Sequence, residues 1–441
     1  MTASLIVETV TCLGCGCACD DIGVAVRDGQ IIEARNACTL GVRWFGTGSV
    51  PLRCVVDGKD VSVVHATSLV ARLLIEAERP LVYVAPGLSC ESQREAVTIA
   101  DMLQARLDSA TSASASAFVL SGQERGLASA TLGEVKNRAD TVVFWGVDVE
   151  GRYPRFASRY APDPIGTHAP HGRRSRTVIA MDVGNARATT DADRRIAISV
   201  DDELAILTMV EAFVRTPANP VGRGAATNAA FTTSRDLAAA LMSSRYVALV
   251  YDAEHDDRAA RSTQRFDALA SLAQALNEHT RAAAIGLRGG GNRSGADAVL
   301  VAQAGYPFAI DFARGYPRYD PHEGTALALL GRREVDLALI VGDATLVPND
   351  LADALGTLQS VVIGPHVSEH ALGRMVVVID THRDGIHAGG TAFRSDDVPL
   401  RLRPALTSSV ETARVLRSVA TGVRQAQLSG LPVSSAAAPR A

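Results

Sequence analysis

Cys12, Cys15, Cys19 and Cys38 stand in a C-x2-C-x3-C-x18-C pattern, and Asp20 and Asp21 follow the third of them directly. Three thiolates close in sequence, joined by a fourth from a returning segment, are how a chain surrounds a tetrahedral or cubane metal centre. A zinc site more often uses two separated Cys-x-x-Cys pairs, an arrangement absent here, so the spacing favours a [4Fe–4S] cluster over zinc. The same letters also suit a buried cysteine cluster with no ligand, and the sequence leaves both readings open. Cys17 and Cys54 fall outside the pattern and read as structural. Cys90, in "GLSCES", opens a helix after a strand, where a helix N-terminus can lower a thiol pKa; close packing of a small residue is the preferred reading.

Three further constellations carry polar chemistry. The stretch "LRGGGNRSGAD" (287–297) sets Gly289, Gly290 and Gly291 between Arg288 and Arg293. Such a loop can cradle phosphates through backbone N–H groups and guanidinium pairs, although a flexible surface loop gives the same letters. In "GYPFAIDFARGYPRYDPHEG" (305–324), Arg314, Arg318 and Tyr319 either line a channel or belong to a proline-ordered loop packed on a domain. His366, His370, His382 and His387 occur in "GPHVSEH" and "DTHRDGIHAGGTAF" without a convincing zinc ligand set, and read as polar loop residues.

The elements that must position these groups are legible in outline. Ile22, Val24 and Val26 alternate with small or polar residues, Asp28-Gly29 supplies a turn, and Ile31-Ile32 resume an apolar run. This predicts a β-hairpin that returns Cys38 toward the first three cysteines. From about residue 65, apolar runs at 79–87, 139–148, 176–183, 245–252, 335–343, 360–365 and 374–380 alternate with helix-length segments such as 92–107 and 201–214. Continuous apolar strands separated by helices imply buried parallel sheets in an α/β fold, with ligand loops at the strand ends.

The 441 residues exceed what one core accommodates, so more than one domain is expected. The predicted division is a β-rich cysteine-bearing unit over 1–55, a discontinuous α/β unit from 56–125 and 278–405, an inserted α/β unit over 126–277, and a flexible tail over 427–441. A hydrophobic fraction of 47% with 21% charged residues is that of a globular protein, and the net charge of −4 with dispersed basic residues argues against nucleic acid. No apolar run approaches the ~18 residues that span a bilayer, and the N-terminus lacks the pattern of a secretory signal. A cytoplasmic location follows as the expectation. Seven cysteines, five of them before residue 40, then suit metal binding better than a disulfide framework.

Several segments together resemble the B subunit of formylmethanofuran dehydrogenase, a relative of the molybdopterin oxidoreductase large chain. They are "CLGCGCACDDIGVAV", "SCESQREAVTIADML", "LGEVKNRADTVVFWGVD", "YPRFASRY", "GYPFAIDFARGYPRYDP" and "GIHAGGTAFRSDDVPLRLR", running from residue 12 to about 403. The resemblance implies two Rossmann-like α/β domains of the molybdopterin oxidoreductase type behind an iron–sulfur-type unit. It also implies a metal held by a pterin dithiolene and one Cys, the ligand lying after the helix that follows "SCE". Here that segment reads "LDSATSASASAFVLSG" (107–122), Ser114 stands where the cysteine is expected, and no Cys or His occurs from 91 to 167. The accompanying His and Gly are replaced as well, which reads as loss of a ligand set, not exchange of one ligand.

Without that metal and its pterin, carboxylate–formate redox chemistry has no electron acceptor. The resemblance then points to the bacterial formyltransferase/hydrolase complex, in which a formyl group passes from tetrahydromethanopterin to a furan-type carrier and is hydrolysed to formate. There the A subunit is implied to hold the hydrolytic metal, the D subunit to transfer the formyl group, and the B and C subunits to act as scaffold. The expectation is therefore a non-catalytic B subunit that depends on the A, C and D subunits, with no molybdenum- or tungsten-pterin and with Cys12, Cys15, Cys19 and Cys38 able to hold a [4Fe–4S] cluster. The competing readings are an active molybdenum- or tungsten-pterin dehydrogenase chain and an iron–sulfur electron-transfer chain. Arg288, Gly289, Gly290, Gly291 and Arg293 are the candidates for a relic pterin loop.

Overall fold

The computed structural model describes residues 4–217, 229–254 and 262–429. It is a mixed α/β structure with several sheets, one of them a small antiparallel sheet at the N-terminus. That sheet comprises Leu5–Val10, Ile22–Arg27 and Gln30–Arg35. Arg27 pairs with Gln30 across a two-residue turn in which Asp28 and Gly29 both have positive φ (49° and 75°), so the hairpin read from the sequence is formed. The chain then enters the helix Thr39–Phe45, with Cys38 at its N-cap.

Two larger sheets follow. In one, Arg106–Ser109, Pro80–Val84, Leu337–Val341, Gln359–Gly364 and Arg374–Asp380 run parallel, in that spatial order. Short antiparallel strands close both edges, Ile310–Asp311 and Arg318–Tyr319 at one end and Cys54–Val56 and Lys59–Asp60 at the other. The other sheet is wholly parallel, in the order Arg194–Ile198, Thr177–Val183, Thr141–Trp145, Tyr246–Asp252 and Arg281–Leu287. The chain thus leaves the large sheet after Ser109, builds the five-stranded one, and returns at Ile310. All residues of Pro80–Val84, Thr141–Trp145, Tyr246–Asp252 and Leu337–Val341 are buried, which is why these strands read as unbroken apolar runs. Ser62, Ser89, Thr131, Ser199, Ser262 and Thr325 each cap a helix by accepting a backbone N–H from its first turn.

Three features lie at the boundaries expected from the sequence. The strand Arg281–Leu287 pairs with Tyr246–Asp252, so it lies in the inserted sheet although the expected break fell at 277/278. Its Ala-rich face carries little strand propensity, and only pairing within the sheet makes it a strand. Cys54–Val56 pairs with Arg374–Asp380, tying the end of the expected cysteine unit into the large sheet. Residues 427–429, expected to begin a flexible tail, close the helix Thr412–Ser429, where Gln427 donates to the Met102 carbonyl (2.8 Å). The rest of that tail, 430–441, lies outside the described residues. Among the described residues no helix is long and apolar enough to cross a membrane.

Candidate functional site

The first three cysteines occupy the loop between Leu5–Val10 and Ile22–Arg27. Cys12 N–H donates to the Cys19 carbonyl (2.8 Å) and Ala18 N–H to that of Cys15 (3.1 Å), folding the loop back on itself. Gly14 N–H donates to Cys12 Sγ (3.3 Å). Cys38 arrives from the other side: a Cβ placed on Gly41 would lie 3.3 Å from Cys12 Sγ and 4.0 Å from Cys38 Sγ, so both sulfurs flank that glycine. The hairpin therefore brings Cys38 to Cys12. Burial raises the Cys12 thiol well above its ordinary pKa, and Cys15, Cys19 and Cys38 all lie near enough to add to that effect. Burial likewise pushes Cys19 up to about 11. Cys15 is lowered, first by a hydrogen bond from Cys17 and also by Arg155.

Four thiols with two guanidinium groups close by are the right kind of donor set for an anionic iron–sulfur cluster. Among the described residues, however, no three His, Cys, Asp or Glu side chains are held at mutual metal-binding distance. The gathered thiols are a donor set in kind, without preformed ligand geometry.

Arg155 makes two hydrogen bonds to Asp21 (2.6 and 2.7 Å), and Arg159 binds Asp20 (2.7 Å) as well as Asp21. The carboxylates after the third cysteine are thus latches to the "YPRFASRY" segment, in the bidentate geometry that suits Arg–carboxylate pairs.

The glycine-rich stretch links the Arg281–Leu287 strand to the helix Arg293–Ala304, the strand–loop–helix setting in which phosphates are bound elsewhere. Here several of its polar groups are used within the chain. Gly16 N–H donates to the Arg288 carbonyl (3.1 Å), and Gly291 N–H donates to the Leu13 carbonyl (2.9 Å). Gly289 N–H donates to Glu254 Oε2 (2.9 Å). Arg288 donates to Glu254, to Asp297 (2.6 Å) and to Thr111 (3.1 Å). Arg293 reaches the Gly290 carbonyl (3.2 Å), Ser114 Oγ (3.2 Å) and Glu254 (3.5 Å). Ser114 Oγ in turn donates to the Ala110 carbonyl (2.9 Å). Arg288, Arg293 and the N–H groups of Gly289 and Gly291 thus each have partners within the chain.

Glu254 is only 6% exposed. Burial alone would raise its pKa, but the Arg288 and Arg293 guanidiniums and Gly289 N–H outweigh it and hold the carboxyl at about 2. Burial pushes Asp297 up, outweighing the Arg288 guanidinium and the Thr111 hydroxyl that pull it down. Beside Ser114 lies a cavity of about 250 Å³ bordered by Ala113, Ser116, Ala253, Phe266 and Leu327. That is below the roughly 300–1,000 Å³ usual for small-molecule sites.

Buried carboxylates that the sequence reading passed over tie the motifs together. Asp384 accepts from Ser89 N–H and from Ser92 Oγ (both 2.7 Å), joining "SCES" to the His382–His387 region. Asp108 accepts from the Ala309 and Ala326 N–H groups and from Ser112, and burial still pushes it up to about 6. Cys90 opens the helix Cys90–Met102 as expected, but it is buried, and burial raises its pKa. The helix N-terminus does not make it a reactive thiolate.

Arg314 and Arg318 are exposed on the edge hairpin beyond Arg106–Ser109, where Tyr319 stacks on Tyr306 (4.9 Å between ring centroids) and packs the loop against the sheet. His366 pairs with Glu369 (2.7 Å), and His370 Nδ1 contacts the His366 carbonyl.

His382 and His387 stack at 4.4 Å, and His387 Nδ1 is buried with no hydrogen-bond partner. Burial and then His382 lower the His387 pKa from 6.5 to about 4. The folded chain therefore binds fewer protons than the unfolded one below pH 6.5. This contribution to stability is fully present above that pH and is lost as the pH falls through about 4. Urea unfolding at pH 7 and at pH 4.5 should show a loss on the order of 2 kcal/mol, allowing for partial solvent access, and His387→Phe should remove most of that component. An unchanged pH slope in the variant would assign the loss to other groups.

No family model matches the sequence. Among curated proteins, the B subunit of the tungsten-containing formylmethanofuran dehydrogenase 2 of Methanocaldococcus jannaschii is 30% identical over 428 residues, covering 91% of this chain and 94% of that protein. The chain belongs to the B-subunit family of formylmethanofuran dehydrogenases. The corresponding protein of Methanococcus maripaludis is 29% identical over 414 residues, covering 90% of this chain and 94% of that protein. In fold, the chain is similar to one in the formyltransferase/hydrolase complex of Methylorubrum extorquens, solved with methylofuran. The TM-score is 0.69 across 85% of this chain and 99% of that one, at 21% identity. The family relationship spans nearly the whole chain.

Proposed function

We propose that this chain is the non-redox scaffold B subunit of a cytoplasmic formyltransferase/hydrolase complex, working with the A, C and D subunits. In that assembly a formyl group passes from formyl-tetrahydromethanopterin to a methanofuran-type carrier and is hydrolysed to formate. The single observation that carries the reading is Ser114. It stands where the resemblance expects the metal-ligating cysteine, and its hydroxyl is held between the Ala110 carbonyl and Arg293.

The fold supports the same reading: we assign the two parallel sheets to Rossmann-like domains of the molybdopterin oxidoreductase type, retained as a framework. Leu5, Ile6, Ile32, Val42 and Leu52, in the first part of the chain, are large and exposed, as suits a chain that docks on partners.

The test is elemental analysis of the anaerobically purified complex. Neither molybdenum nor tungsten is expected, and either metal near one per chain would establish the dehydrogenase reading instead. The cysteine loop is tested separately. Cys15→Ser should leave formyl transfer and hydrolysis by the assembled complex within about twofold of wild type, a change in activation free energy of under ~0.5 kcal/mol. Turnover that collapses while assembly stays normal would make the cysteine site a working redox centre.

A further inference from the structure

The glycine loop, unsuited to a phosphate as it stands, contains an anion already. We infer that Glu254 is a built-in substitute for a phosphate: its carboxylate occupies an anion seat made by Gly289 N–H, Arg288 and Arg293 at the start of the helix Arg293–Ala304, and thereby keeps diphosphate-bearing cofactors out. This rests on the non-redox reading above and supplies its physical cause.

Three observations converge. The donors facing Glu254 are those a phosphate recruits, namely a backbone N–H at a glycine, the guanidinium of Arg288 and that of Arg293. The carboxylate also lies tight against the glycine, since a Cβ on Gly289 would stand 2.7 Å from Glu254 Oε2 and 3.1 Å from Arg293 Nε. The carboxylate is also anchored from behind. Glu254 N–H donates to Asp252 Oδ1 (2.9 Å), and its carbonyl accepts from Arg152 (2.9 Å), so the backbone at 254 is held at the end of the Tyr246–Asp252 strand.

The neighbouring groups face the same way. Asp297 takes a further donor of Arg288, and Ser114 takes a donor of Arg293. A diphosphate carries more negative charge than one carboxylate and needs more donors, and here the donors are shared out among side chains of the chain. A second anion entering this seat would meet Glu254 and Asp297 before it met a free N–H.

The experiment uses the full chain co-expressed with its partner subunits and inorganic pyrophosphate as the probe. Thermal unfolding is followed with and without millimolar pyrophosphate for wild type, Glu254→Ala and Glu203→Ala. Glu203 is a comparably buried carboxylate that pairs with Arg265 (2.8 Å) in another part of the five-stranded unit, away from the glycine loop. Wild type should not respond. Both variants should unfold at lower temperature, and only Glu254→Ala should recover most of the loss, with pyrophosphate binding at least about tenfold tighter than to wild type.

Equal responses of the two variants, or a wild-type response as large as that of Glu254→Ala, would overturn the proposal. If Glu254→Ala does not fold, Glu254→Gln keeps the volume and removes the charge. Broadening of the pyrophosphate 31P resonance by this variant and not by wild type is then expected, and no broadening overturns the proposal. Metal content of the wild-type complex is measured independently. Molybdenum or tungsten there defeats the non-redox reading, whereas a failed pyrophosphate response without those metals defeats only the role given to Glu254.

Discussion

Arg288→Ala is expected to destabilise the chain by about 3–5 kcal/mol, the cost typical of leaving a buried charge without its partner. Arg288 is 4% exposed and bridges Glu254, Asp297 and Thr111, which lie in three different segments of the chain. Truncation removes the cation that serves both carboxylates. Glu254 keeps Arg293 and Gly289 N–H, but Asp297 is left with Thr111, and its already raised pKa favours protonation. Urea unfolding at neutral pH measures the loss. A double change with Glu254→Gln should cost less than the sum of the single changes, because it withdraws one of the uncompensated charges. A single-variant loss under ~1 kcal/mol would mean that water replaces the guanidinium, and the network would then be peripheral to stability.

The second large effect concerns the seam between the cysteine loop and the glycine loop. A Cβ on Gly16 would lie 2.1 Å from the Arg288 carbonyl oxygen, which is backbone and cannot turn aside. The same residue donates its N–H to that carbonyl, and its own carbonyl accepts from Ser395 N–H (3.0 Å). Gly16→Ala must therefore part three segments, and a loss of about 3 kcal/mol is expected. Cys12 and Cys19, 7% and 6% exposed, should at the same time become accessible to a maleimide. Gly29→Ala is the control: its φ is +75° but nothing lies within 4 Å, so only the cost of the left-handed backbone, about 1 kcal/mol, applies. Equal losses for the two variants, or cysteines that stay protected in Gly16→Ala, would show that the seam yields without opening.

Some of this protein was determined by the sequence alone, because the physics involved is local. The Asp28-Gly29 turn fixes the hairpin, since two successive positive-φ residues suit few other backbones, and the hairpin brings Cys38 back to Cys12. The strands at 80–84, 141–145, 246–252 and 337–341 were legible because burial on both faces leaves an unbroken apolar run.

Tertiary structure decided the rest. Arg281–Leu287 is alanine-rich and becomes a strand only by pairing with Tyr246–Asp252. The role of the glycine loop depended on Glu254, 35 residues before Gly289, and on Leu13 and Gly16 from the far end of the chain. A glycine records that something must come close; it does not record whether that something is a ligand or the chain itself. Only the packing of the two loops answers that, because hydrogen-bond donors are consumed by whichever acceptor the fold presents first.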